Sequence, residues 1–140
     1  MIYIAAPFFK PEELEFVITI EDAFARKGIM FYSPRSEGIL INQSAEEKAK
    51  NKRRIYETNI DNIVKSDIVV AVIDGRDTGT IFEMGFACGM KIPIISISNK
   101  GYGINVMLAE CVRAHVSNIN ELLYALSNPV YKGKDIKDVF

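Results

Sequence analysis

The run DIVVAVI at residues 67–73 constrains the fold more than any other stretch of the chain. It does not alternate apolar with polar residues. A strand of this kind must be covered on both faces, as in the middle of a parallel sheet. Four similar runs punctuate the sequence: IYIAA (2–6), IMFYS (29–33), IPIISIS (92–98) and a shorter VRAHVS (112–117). Helical patterns separate them. Pro11 opens the first, with Glu12, Glu13 and Glu15 in its early turns, where acids suit the helix dipole. Leu14, Val17, Ile18, Ala23 and Phe24 follow at helical spacing, and Gly28 marks the stop. A long polar helix or helix pair is expected over about residues 45–65, with Ile55, Ile60, Ile63 and Val64 on its later apolar face. IFEMGFACGM, INVMLAE and INELLYALS are the later helices. Strand and helix in alternation imply a parallel sheet with helices on both faces, an α/β domain of three layers. Ligands of such folds bind outside the carboxyl ends of the strands.

The bulk properties bound the possibilities. A chain of 140 residues fits one domain, and 49% hydrophobic with 25% charged residues is ordinary for a globular protein. Net charge is −1, which makes no electrostatic case for nucleic acid or an anionic membrane. No apolar run nears the roughly 20 residues of a membrane span. The first residues read as a strand rather than a leader, so a cytoplasmic location is expected. Cys88 and Cys111 have neither metal nor redox spacing, and their apolar surroundings favour buried free thiols over a disulfide.

Candidate site residues follow the strands. After the first come Pro7, Phe8 and Phe9, either lining for a flat ring or core. Tyr3, inside that strand, needs a hydroxyl partner if buried, and a carboxylate across the sheet would serve. After the second come Ser33, Arg35 and Ser36, either holding a polar substrate group or forming a surface turn. After the third comes DGRDTGTIFEMGFA (74–87). Gly75 and Gly79 allow tight backbone paths there. Thr80 suits an N-cap, and Glu83 stands at capping-box spacing from it. The other reading is chemical. Asp77 and Glu83 place two carboxylates at a strand end, which suits work on a glycosidic bond. KAKNKRR (48–54) reads as a solvated helix face, and His115 as a non-catalytic histidine.

These pieces together resemble the nucleoside 2-deoxyribosyltransferase family. The carriers are IYIAAPFF, FYSPR, NIVKSDIVVAVIDGRDTGTIFEMGFACGMKIPII and GINVML, an ordered set over nearly the whole chain. The resemblance implies a flavodoxin-like sandwich with a five-stranded parallel sheet, spanning residues 1–128, with 129–140 as a tail that closes a neighbouring subunit's site. It implies exchange of the base on a 2'-deoxynucleoside for a free purine or pyrimidine, with no metal and no organic cofactor, in nucleotide salvage. Glu83 matches the nucleophile, which the helix N-terminus would keep ionised. Asp77 matches an acid that holds substrate, and Tyr3 a tyrosine that orients the nucleophile. Pro7, Phe8, Ser33, Arg35, Gly79 and Met107 are the further substrate-binding candidates. Asn105 matches a residue that reaches a neighbour's site to bind the sugar 5'-hydroxyl, which implies a homo-oligomer, a dimer or multiple of dimers.

One position departs from the best-known members. Many carry an aspartate one helix before the central strand, placed to protonate the base. Here Asn59 takes that place and is expected to face the pocket, while Asp61 lies about 200° round the helix. Two alternatives stay open. One is a hydrolase of the same fold acting on a nucleoside or its 5'-monophosphate, using Ser33, Arg35 and Ser36 for phosphate. The other is a nucleotide-binding module without chemistry.

Overall fold

The computed structural model describes residues 1–38, 40, 42–101 and 103–133. Among them are five strands: β1 (Ile2–Ala5), β2 (Phe31–Tyr32), β3 (Ile68–Val72), β4 (Ile94–Ile97) and β5 (Ala114–Val116). Five α-helices accompany them: α1 (Pro11–Arg26), α2 (Ala45–Lys65), α3 (Thr78–Gly89), α4 (Val106–Cys111) and α5 (Ile119–Ser127). The sheet is parallel throughout, in the order β2-β1-β3-β4-β5. The expected α/β architecture with a five-stranded parallel sheet is the one observed.

The pleat sorts successive residues of each strand to opposite faces, and both faces are dry. On one side Ile2, Ile4, Val70, Val72, Ile95 and Ile97 pack against Val17, Ile20 and Phe24 of α1 and Leu122 and Ala125 of α5. On the other, Tyr3, Ala5, Val69, Ala71 and Ile94 pack against Ile63 of α2 and Met84 and Ala87 of α3. This double burial is why β3 carries no polar side chain. The chain moves outward from β1 to β2, then returns to place β3 on the other side of β1. That reversal opens a crevice at the carboxyl ends of β1 and β3.

Local chemistry sets the helix starts. Ser44 caps α2 by accepting from the Glu47 amide at 3.2 Å, and Glu47 returns the bond to the Ser44 amide at 3.1 Å. Glu13 accepts from the amides of Phe9 and Lys10, both at 3.1 Å, which ties the loop after β1 to the first turn of α1.

Several expectations are corrected. The second strand is two residues long, because Pro34 opens a 3₁₀ turn over Pro34–Glu37. The buried stripe of α1 runs through Val17, Ile20 and Phe24, whereas Leu14 and Ile18 are exposed. Cys88 is exposed and Cys111 half-buried, so the thiols are free but not both interior. Beyond α5, the His115 amide donates to the Lys132 carbonyl at 3.1 Å, and Gly133 bridges to His115 in parallel. Of the segment 129–140 expected to close a neighbouring site, residues 134–140 lie outside the described residues.

Candidate active site

A cavity of about 340 Å³ occupies the crevice between the ends of β1 and β3. Its volume is in the range of small-molecule sites. Phe8, Phe9, Leu40 and Ile55 give it apolar walls. Asn59, Asp77, Thr80 and Glu83 supply the polar groups, and Gly79, between Asp77 and Thr80 in the chain, lines it too. Phe8 and Phe9 stand with ring centroids 4.7 Å apart, and Phe9 is half-exposed. Both are therefore cavity wall rather than core.

Glu83 projects from the second turn of α3. The Tyr3 hydroxyl donates to its Oε1 at 2.7 Å. Tyr3 is fully buried in the centre of β1, so its ring cannot swing away, and it holds one carboxylate oxygen at a fixed place. Tyr32, the register partner of Tyr3 on β2, stacks on it at 5.7 Å between centroids. The buried Tyr3 hydroxyl next to a carboxylate is pushed far above the usual phenol range. Glu83 itself is pushed up to about 7. Burial is the main cause, the Tyr3 hydrogen bond works against it, and the nearby Asp77 charge adds to it. Burial and Asp77 thus work against the ionised state expected of Glu83 near a helix N-terminus, and the Tyr3 hydroxyl works for it.

Asp77, not Thr80, is the N-cap of α3. Its Oδ2 accepts from the Thr80 amide at 2.8 Å and the Thr80 hydroxyl at 3.0 Å. Both bonds use one oxygen, so Oδ1 is left for other partners. A Cβ on Gly79 would come within 3.2 Å of that same Oδ2, which explains a small residue there. Glu83 is thus not the capping-box acid of its helix; its bond goes to Tyr3.

Asn59, on α2, lines the cavity, while Asp61 is exposed and does not. The Tyr32 hydroxyl donates to Asn59 Oδ1 at 3.2 Å. Burial and the adjacent Glu37 push the Tyr32 phenol up to about 12, so it remains a donor.

The other candidates lie outside this cavity. Arg35 forks onto Glu21, with Nε 2.8 Å from Oε1 and a second nitrogen 2.5 Å from Oε2. Ser33 is buried before the 3₁₀ turn, and its carbonyl accepts from the Ser36 hydroxyl at 2.9 Å. Pro7 faces a separate, 210 Å³ hollow beside Glu13 and Asp74. Asn105 caps α4, its Oδ1 accepting from the Met107 amide at 2.9 Å. Asn105 and Met107 line a 270 Å³ hollow between α3 and α4, and Met107 is 76% exposed. Sequence reasoning gave Tyr32 no role of its own, and read Thr80 only as a helix cap and Glu13 only as a first-turn acid. Tyr32 carried a signal, an amphipathic ring at a strand end, but its partner Asn59 is 27 residues away. Among the described residues no cluster of three or more His, Cys, Asp or Glu could hold a metal, and no helix is long and apolar enough to cross a membrane.

Comparison with known proteins places this geometry. No curated protein sequence matches the chain. Among solved structures, it is similar to a 2-deoxyribosyltransferase from Bacillus psychrosaccharolyticus, at 27% identity and a TM-score of 0.77, covering 86% of this chain and 88% of that one. A 2-desoxiribosyltransferase from Leishmania mexicana matches at 25% identity and a TM-score of 0.55, over 73% of this chain and 66% of that one. A conserved protein from Enterococcus faecalis V583, 22% identical with a TM-score of 0.73 over 90% and 96% of the two chains, shares the fold. The family model for nucleoside 2-deoxyribosyltransferases matches residues 2–118, which include β1, β3, α3 and every polar residue of the cavity. The chain belongs to the nucleoside 2-deoxyribosyltransferase family, a family of enzymes.

Proposed function

We propose that the chain transfers the 2-deoxyribosyl group of a deoxynucleoside between bases, with Glu83 as the covalent nucleophile. The observation that carries this is the Tyr3–Glu83 bond at 2.7 Å inside the apolar cavity. Tyr3 occupies Oε1 and leaves Oε2 to attack the anomeric carbon. The C–N bond breaks as the new C–O bond forms, and the base departs. A second base then attacks the deoxyribosyl ester, restoring the carboxylate and retaining configuration. Phe8 and Phe9 stack on the flat base. Asp77 Oδ1 accepts a hydrogen bond from the sugar or base. Asn59 offers the base an amide hydrogen bond but no proton, so base departure is the step this site assists least. Gly79 lets the ligand approach the α3 backbone closely.

Asn105 and Met107 lie away from Glu83 in their own chain, which fits a role at a neighbouring subunit's site in a homo-oligomer. Substrates are free deoxynucleosides and bases in the cytoplasm, with no organic cofactor. The 5'-monophosphate hydrolase is the weaker reading, because Arg35 is bound by Glu21 and Ser33 is buried, both outside the cavity. Chromatography of 2'-deoxyinosine with and without adenine tests the choice. Transfer predicts deoxyadenosine from wild type and none from Glu83→Ala. Equal release of hypoxanthine without acceptor would replace transferase by hydrolase, and no turnover of any deoxynucleoside or monophosphate would leave a binding module.

A further inference from the structure

The two cysteines, 23 residues apart in sequence, meet in space. Cys88 is in the last turn of α3 and exposed; Cys111 ends α4 and is half-buried. The Cys111 thiol donates to the Met84 carbonyl at 3.7 Å. In a helix that carbonyl also accepts from the amide four residues on, which is that of Cys88. Helical side chains lean toward the N-terminus, so the Cys88 side chain tilts back over the Met84 turn. Cys88 therefore stands one helical turn beyond the carbonyl that Cys111 touches, on the same side of α3. Among the described residues no third metal-ligating side chain joins the pair.

We propose that Cys88 and Cys111 are an oxidation site, which a peroxide converts to an intramolecular disulfide joining α3 to α4. The exposed Cys88 sulfur attacks the peroxide oxygen; the O–O bond breaks, giving a Cys88 sulfenic acid and one water. The Cys111 sulfur then attacks the Cys88 sulfur; the S–S bond forms, the hydroxyl leaves, and the Cys111 proton completes a second water. Two thiols are oxidised and one hydrogen peroxide is reduced. Burial and the neighbouring Cys88 push the Cys111 thiol up to about 12, and Cys88, the exposed one of the two, is the sulfur that meets the peroxide first. The staple binds the helix that carries Asp77 and Glu83 to the helix that Asn105 caps. This inference is independent of the transferase reading.

The test uses the full chain, reduced, then treated with stoichiometric hydrogen peroxide and alkylated with N-ethylmaleimide. The expected product has lost two hydrogens by intact mass and takes up no alkyl group. Without reductant, tryptic peptides 77–91 and 101–113 remain joined, and dithiothreitol separates them. Closing a loop of this length raises Tm by about 5–10 °C. In Cys88→Ser, an exposed and structurally mild change, peroxide leaves Tm unmoved. Two thiols that stay alkylatable, a sulfinic acid at Cys88, or a disulfide only between chains would each overturn the proposal.

Discussion

At Glu83 two effects oppose each other, and in the proposed mechanism their balance sets the pH at which the site works. Burial favours the neutral acid, while the Tyr3 hydroxyl favours the carboxylate. A nucleophile must be ionised. With the group at about 7, kcat/KM should fall below neutral pH, about tenfold per unit well under that point. Tyr3→Phe removes the bond that, among the described residues, favours the charge. Its acidic limb should therefore move to higher pH, which a pH–rate profile of both proteins checks. An unmoved limb would mean that another group titrates. Asn59 gives a second expectation. An amide cannot protonate a leaving base, so Asn59→Asp should raise the rate of base release by about 10–10³, measured in single turnover. A slower Asn59→Asp enzyme would show that this residue binds rather than helps the base depart.

Elements position these groups by their ends. Asp77 is both the cap of α3 and a cavity carboxylate, and the two duties can be separated. Asp77→Asn keeps an oxygen for the Thr80 amide and should unfold within a few tenths of a kcal/mol of wild type. Asp77→Ala loses the cap and should cost about 1 kcal/mol in urea titration. Both should lose activity if Oδ1 serves the substrate; an active Asp77→Asn would confine the charge to no role. The same helix shows what was legible in the sequence. The existence of α3 and its place after the central strand followed from DIVVAVI and the glycines behind it. Its start did not, because Asp77 and Thr80 are both capping residues three apart, and only the β3–α3 turn decides between them. The bounds of α2 were readable from its long polar run and apolar face, and the structure adds the reciprocal Ser44–Glu47 cap at its start. The surroundings of Arg35 were not readable, for the opposite reason. Its partner Glu21 lies on α1, and no spacing in SPR announces a tertiary ion pair. The meeting of Cys88 with Cys111 is likewise a product of α3–α4 packing.

For the whole molecule, the fold divides the proposed site residues between two places. Glu83, Tyr3, Asp77 and Asn59 converge at the switch point of the sheet, while Asn105 and Met107 sit on a different hollow and an exposed surface. If neighbouring subunits supply the missing side, mixing two inactive variants should restore activity. Glu83→Ala and Asn105→Ala subunits, unfolded together and refolded, should regain a substantial fraction of wild-type rate, because some mixed sites hold neither change. No recovery from a mixture shown to contain mixed oligomers would place Asn105 outside a shared site. The central claim is the covalent one, and the intact mass of the chain tests it most directly. Wild type quenched in acid during turnover of 2'-deoxyinosine, with no acceptor base, should carry one deoxyribosyl group on Glu83 in peptide 77–91, and Glu83→Ala none. Base exchange at full rate with no adduct, or an adduct on another residue, would contradict the account.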